Sequence, residues 1–287
     1  MGKICIDPGH YGKYNRSPGV PEYYESDMTW KLANMQKKYL EALGHTVILT
    51  RDDPNKDVPL VERGMKSKGC DLFISDHSNA ASNSMNEKID YVAVYHLVDD
   101  DAVACDDISK EFAGKIAPVV AGEMGVGFKV LTRKAQSDRN KDGKKNDNYY
   151  GVLHGARMVK TPGVIIEHGF HTNTKDTKWL LNDNNLERMA KAEAECIDRF
   201  LKGGSDTDYP VDFDPEPIPV TPTFKVRVTI SNLNIRSGPG TNYPKVKFID
   251  PGIYTITEIQ NGKGSKTGWG LLKSKVGWIS LDYATRI

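Results

Sequence analysis

Long apolar runs are missing from this 287-residue chain. Nothing approaches the roughly 18 consecutive apolar residues of a membrane-spanning helix, so insertion into a bilayer is not expected. Cysteine is scarce and scattered. Cys5, Cys70, Cys105 and Cys196 form no CxxC pair, which argues against a thiolate zinc ribbon or a disulfide scaffold and for small buried apolar side chains. The opening MGKICIDPGH runs straight into an expected strand, with neither the apolar segment nor the small-residue cleavage site of a secretory signal. Synthesis in the cytoplasm is therefore expected, in keeping with reduced thiols. A large net charge is also absent, the formal value being +1, and 27% charged with 38% apolar residues describes a folded, soluble protein.

That near-neutral total hides an uneven distribution. Lys and Arg against Asp and Glu number 29 to 30 in residues 1–203, 0 to 5 in 204–223 and 10 to 3 in 224–287. The stretch KGGSDTDYPVDFDPEPIPVTPT has five prolines and five acids with little to bury, so it reads as an extended linker. Three parts are expected: a first domain over residues 1–202, a linker over 203–223 and a basic second domain over 224–287. A basic domain suits an anionic surface. It carries no recognisable nucleic-acid motif, so nucleic acid is not the expected partner and an anionic cell wall fits as well.

In the first domain, Lys3 to Asp7, Thr46 to Thr50, Leu72 to Asp76, Tyr91 to Tyr95 and Val164 to Glu167 read as strands. Between the first two, Met28, Leu32, Met35, Tyr39 and Leu43 share one helical face, with Ser26 or Asp27 as N-cap and Gly44 as the stop; residues 186–201 repeat the pattern. Such alternation predicts an α/β sheet sandwiched by helices. After the linker, VRVTI, YTITEI and the turn-dense SGPGTNYP predict a small half-buried β-barrel.

Strand order explains how distant motifs can meet. His10 follows the first strand, His77 the third, and Glu167 ends a late one, all at carboxyl ends, where open α/β sheets place their crevices. Neutral imidazoles and carboxylates are zinc ligands, and a catalytic zinc keeps one position open. The competing reading of His10 and His77 is a pair of hydrogen-bonded loop histidines. Taken alone, Glu25 is better read as an acid favoured at a helix start, with Glu22 close by. Glu167 says more: it emerges from the apolar run GVII, so its carboxyl must be paired, metal-associated or held at a raised pKa.

In IDPGHYG, Glu25, GHTVILTRDD, Leu60 with Arg63, CDLFISDHSNA and PGVIIEHGFHTN, residues 1 to about 202 resemble the zinc-dependent N-acetylmuramoyl-L-alanine amidases of the amidase 3 type. The resemblance implies that His10, Glu25 and His77 ligate Zn2+ and that Glu167 is the catalytic acid and base. It also implies a mixed central sheet like that of zinc carboxypeptidases, and cleavage of peptidoglycan between muramic acid and the first alanine of the stem peptide. Two departures stand out: Asp76 fills an often apolar position, and His168 and His171 add imidazoles beside the catalytic acid. Asn79, Arg63 and His168 are candidates for substrate contact, with a structural ion pair the stronger reading of Arg63. The tail, through LNIRSGPGTNYPKV and GWISLDY, resembles bacterial SH3-type domains; Tyr243, Trp269 and Trp278 are candidate wall contacts, core packing being the competing reading of each. An enzyme of this kind resembles an endolysin of a phage or prophage, acting on the wall after release by lysis; a mother-cell or autolytic amidase freed by lysis would look the same. A zinc peptidase cutting within the stem peptide and an inactive wall-binding protein are the alternatives.

Overall fold

The computed structural model describes residues 1–98, 104–139, 141, 143, 145, 147–204, 224–260, 262–274 and 276–287. Most of the expected linker, 205–223, lies outside the described residues. The chain divides into two compact units, Met1–Pro215 and Glu216–Ile287.

In the first unit the elements run β1 (Lys3–Pro8), α1 (Glu25–Ala42), β2 (Thr46–Leu49), α2 (Leu60–Met65), β3 (Leu72–Asn79), β4 (Tyr91–His96), α3 (Ala104–Met124), β5 (Gly127–Leu131), α4 (Gly151–Met158), β6 (Gly163–Phe170), α5 (Thr174–Leu180) and α6 (Asp183–Leu201). They build a six-stranded sheet of order β2-β1-β3-β6-β4-β5. β2, β1, β3 and β6 are mutually parallel, while β4 runs antiparallel to β6 and carries β5 parallel to itself. The α/β sheet expected from the strand and helix periods is present, and it is mixed, as the resemblance implied.

Period-two alternation sorts the strand side chains into two cores. Ile4, Ile6, Leu72, Ile74, Val164 and Ile166 face α1, α3 and α6. Cys5, Phe73 and Ile165 turn the other way, against Val152, Leu153 and Ala156 of α4. Helices cover both faces, and that is why these strands read as short continuous apolar runs. All four cysteines are free and buried. No helix among the described residues is long and apolar enough to cross a membrane.

α1 starts at Glu25, with Tyr24 rather than Ser26 or Asp27 at the cap position and no side-chain cap bond. Ser26 is engaged elsewhere: its Oγ donates to the Gly12 carbonyl (2.7 Å) and accepts from the Tyr14 amide (2.9 Å), fastening the loop after β1 to the helix. α2 and α4 approach through glycine. A Cβ on Gly64 would lie 2.0 Å from the Val152 carbonyl oxygen, and one on Gly155 2.1 Å from that of Val61.

The second unit comprises β7 (Phe224–Val228), β8 (Leu233–Arg236), β9 (Lys245–Ile249), β10 (Gly252–Gln260), β11 (Trp269–Leu272), β12 (Trp278–Ser280) and β13 (Ala284–Arg286). Its pairs are all antiparallel, in the order β13-β7-β10-β11-β12-β8-β9. The two end strands do not pair among the described residues, so the all-β character is present without a closed barrel. Val226, Val228, Leu233, Ile235, Ile256 and Ile279 lie in its core. Trp269 and Trp278 are buried, 3% and 8% exposed. That corrects their reading as wall contacts: both sit on short strands of a small unit whose few large apolar side chains are needed inside. Tyr243 is 41% exposed and remains available.

Gly155→Ala should destabilise the first unit by ~1–3 kcal/mol or more, because the added methyl meets rigid backbone and outweighs the helix-propensity gain. Chemical denaturation followed by tryptophan fluorescence checks this; unchanged stability would mean that α2 and α4 can separate freely.

Candidate metal centre

β1, β3 and β6 are parallel, so their carboxyl ends share one edge of the sheet, and the loop after β1 reaches over it. His10 stands in that loop in a left-handed backbone conformation (φ 59°). Gly9 before it is obligatory: a Cβ there would fall 2.5 Å from both the Asp76 carbonyl oxygen and the His77 ring. The loop is pinned from beneath by Arg51 and Arg63, whose guanidinium groups donate to the Pro8 carbonyl at 2.8 and 3.3 Å. Arg63 also donates to the Val58 carbonyl and pairs with buried Asp7 at 3.5 Å. It is 2% exposed. Arg63 therefore braces the His10 loop and does not reach substrate, which corrects the contact reading in favour of the structural one.

Glu25 enters from the first turn of α1 and is 1% exposed. Its Oε1 faces His77 Nδ1 at 2.8 Å and accepts from the Ser78 amide at 2.9 Å. Its Oε2 faces His10 Nε2 at 3.3 Å and accepts from Asn15 Nδ2 at 2.7 Å. Burial opposes ionisation of Glu25, yet the hydrogen bonds and charge of His10 and His77 outweigh it and hold the carboxyl well below the usual range. Burial pulls His77 down in turn, but the Glu25 bond and charge, with the charge of Glu167, push it up to about 9. Tyr14 stacks on the outer face of His10, ring centroids 4.8 Å apart.

Glu167 lies beside His77 in register across β3 and β6. Burial, reinforced by the charge of Glu25, pushes its carboxyl up to about 7 against the opposing charge of His77 and His168. Its Oε2 is buried without a hydrogen-bond partner. His10, Glu25, His77, Asn79, Glu167 and His171 line a cleft of about 330 Å³ whose other walls include Leu60 and Tyr150.

The adjacent imidazoles separate. His171 lies on the cleft with Nδ1 2.9 Å from the Ser78 carbonyl and 3.8 Å from Glu25 Oε2. His168 is fully buried behind the sheet, paired to Glu193 at 2.9 Å and to the His77 carbonyl at 3.0 Å. Burial would lower its pKa, but the charge and hydrogen bond of Glu193 push it up to about 9. Its reading as a substrate contact is thereby corrected: neighbours in a strand point to opposite faces, so a cleft-facing Glu167 sends His168 backwards. Asn15 escaped sequence reasoning. The available signal was an asparagine in a Gly- and Pro-rich loop, a residue that tolerates its φ of 51°.

Among the described residues, the ligand atoms of His10, Glu25 and His77 come within 4.8 Å of one another. Two imidazole nitrogens and a carboxylate at the mouth of a cleft, the rings 25% and 18% exposed, suit a divalent cation with a position left open for a further ligand.

A family model described as N-acetylmuramoyl-L-alanine amidase matches residues 4–199. The chain belongs to the N-acetylmuramoyl-L-alanine amidase family. AmiC, an N-acetylmuramoyl-L-alanine amidase of Neisseria meningitidis serogroup B, is 24% identical over 226 residues, covering 69% of this chain and 52% of that protein. "Probable cell wall amidase LytH" of Staphylococcus aureus is 25% identical over 191 residues, covering 66% of this chain and 55% of its own. The chain thus spans about half the length of these curated relatives. Among solved structures, the catalytic domain of CwlV from Bacillus (Paenibacillus) polymyxa var. colistinus superposes with TM-score 0.55 at 20% identity, over 70% of this chain and 99% of its own. An N-acetylmuramoyl-L-alanine amidase of Clostridium difficile 630 gives 0.56 at 21%, over 71% and 98%. At these identities the likeness is one of fold.

Glu25→Gln removes the charge that holds His77 protonated and leaves only a neutral acceptor for its Nδ1. In metal-free protein the His77 pKa should fall from about 9 toward or below the ordinary imidazole value of ~6.5, as read by NMR titration of the ring protons. An unmoved titration would show that Glu25 does not govern His77.

Proposed function

We propose that this protein hydrolyses the amide bond between N-acetylmuramic acid and the L-alanine of the peptidoglycan stem peptide, with Zn2+ held by His10, Glu25 and His77. The carrying observation is the convergence of those three ligand atoms beside half-buried Glu167, whose Oε2 is buried and partnerless and whose pKa is raised to about 7. Zinc in such a set supplies Lewis-acid activation of water near neutral pH. Around it, the protein positions and moves protons. Glu167 takes a proton on its carboxylate from the attacking water and delivers it to the departing alanine nitrogen, without which an amine leaves poorly. A pKa near the working pH suits a group that must do both. Glu25 keeps His10 and His77 facing one point, and Asn15 and the Ser78 amide hold Glu25. Asn79 and His171, on the cleft wall, orient the substrate.

The second unit acts in this reading as an SH3-type wall-binding module joined to the amidase by the 203–223 linker. Its antiparallel all-β build, its excess of 10 basic over 3 acidic residues and the exposed Tyr243 support that role. A peptidoglycan amidase joined to a basic wall-binding module fits an endolysin, made in the cytoplasm and meeting the wall after release.

Digestion of purified peptidoglycan tests the activity. New alanine N-termini that vanish with EDTA and return with zinc are expected; other new amino ends would make the protein a peptidase, and no release on several wall types would make it an inactive binder. Glu167→Gln should lower kcat by ~10²–10⁴-fold while zinc content stays at wild-type level, and a fully active variant would refute the proton-transfer role. Because a ligand imidazole must be neutral and His77 holds its proton up to about 9, apparent zinc affinity should rise about tenfold per pH unit between roughly pH 7 and 9. Isothermal titration across that range checks the slope.

A further inference from the structure

Behind the sheet, on the face opposite the cleft, four buried polar side chains form a network that the proposed chemistry does not use. Gln36 of α1 donates through Nε2 to Asp76 Oδ1 (3.2 Å) and to Glu193 Oε2 (2.8 Å). His168 faces Glu193 Oε1 through Nε2 and the His77 carbonyl through Nδ1. Each ring nitrogen thus stands within hydrogen-bond distance of an oxygen, one on α6 and one on β3, so the ring is tied at both ends. None of the four is more than 1% exposed.

We infer that this network is a positioning device that sets, from behind, the spacing of the metal ligands and of Glu167. Three of its members sit on the elements that carry the site. α1 bears Glu25 at its start and Gln36 further along; β3 bears His77 beside Asp76; β6 bears Glu167 beside His168. Each strand pair straddles the sheet, one side chain to the cleft and the next to the network. The fourth member, Glu193 on α6, is bonded to two of the other three. The pairing of β3 with β6 shifts register between His77 and Asn79, so the strand ladder slips at the ligand itself. The bond from His168 Nδ1 to the His77 carbonyl ties the two strands across that slip.

The network contributes little to the fold as such. Buried ion pairs are often matched or exceeded in stability by apolar side chains of similar volume. Here Asp76 Oδ2 and Gln36 Oε1 also lack any partner, which adds cost. What it supplies is direction: a bonded lattice fixes angles and register, where apolar packing fixes only volume. The ligand atoms of Asp76, His168 and Glu193 also lie within 4.8 Å of one another, a geometry shared with metal sites. These side chains already bond to one another and to Gln36, so a hydrogen-bonded network is the better account.

This inference rests on the reading that His10, Glu25 and His77 bind zinc, and the wild-type protein tests that reading. Zinc affinity by competition with a chromogenic chelator, the melting temperature of the metal-free protein, and kcat and KM would be measured for full-length wild type, Glu193→Gln, and the apolar combination Gln36→Leu, Asp76→Leu, His168→Leu, Glu193→Met. Zinc binding about 10–100-fold weaker, a comparable fall in kcat and an unchanged KM are expected in both variants. The apolar combination should keep or raise the melting temperature, which separates placement from stability and stands in if Glu193→Gln does not fold. Wild-type zinc affinity in either folded variant would overturn the inference. So would a second zinc in the wild type that Glu193→Gln loses, because the cluster would then be a metal site. A wild type that binds no zinc would instead overturn the underlying metal reading, and this one with it.

Discussion

Glu25 draws four donors or ring nitrogens onto one buried carboxylate: Asn15, the Ser78 amide, His10 and His77. An ionised carboxylate at 1% exposure is tolerable only when its lone pairs are met in this way, since desolvation would otherwise neutralise it. Meeting them requires the loop after β1, the start of α1 and the end of β3 to converge. The glycine at position 9, the two arginines beneath Pro8 and the engagement of Ser26 with the loop all serve that convergence. Loss of the carboxylate charge would remove what draws the two imidazoles together, leaving Asn15 Nδ2 at 3.2 Å as the neighbour of His10 Nε2.

The sheet contributes the remaining relation. β3 and β6 are adjacent and parallel, with His77 opposite Glu167 in register, so the proposed metal ligand and the proposed proton-transfer group stand side by side without a loop between them. Placement on strands is stiffer than placement on loops, and it divides polar residues strictly between two faces. One face becomes a cleft in which Glu167 is kept from easy ionisation. The other becomes a closed polar network that shares the same backbone.

Much of this could be read from residues along the chain. The strand and helix periods predicted a sheet sandwiched by helices, and the positions of His10, His77 and Glu167 near strand ends predicted a common edge. Glu25 could not be told from an ordinary helix-start acid, because its distinguishing property is the company it keeps in space. His168 and Arg63 were open to misreading for the same reason: both look like free polar groups in sequence and are buried partners in the fold. The period-two rule already contained the answer for His168. Trp269 and Trp278 resemble surface aromatics of a binding module, yet a small unit has few large side chains to fill its interior.

Sequence alone determined the donor types, the alternation of each strand and the division into a near-neutral body and a basic tail, since these depend on local composition and period. The tertiary structure alone decided which carboxylate meets the histidines and how far His77 and Glu167 depart from their ordinary pKa values. Those are set by distances of a few ångströms between segments far apart in the chain, where desolvation and Coulomb energy change steeply and sequence separation carries no information.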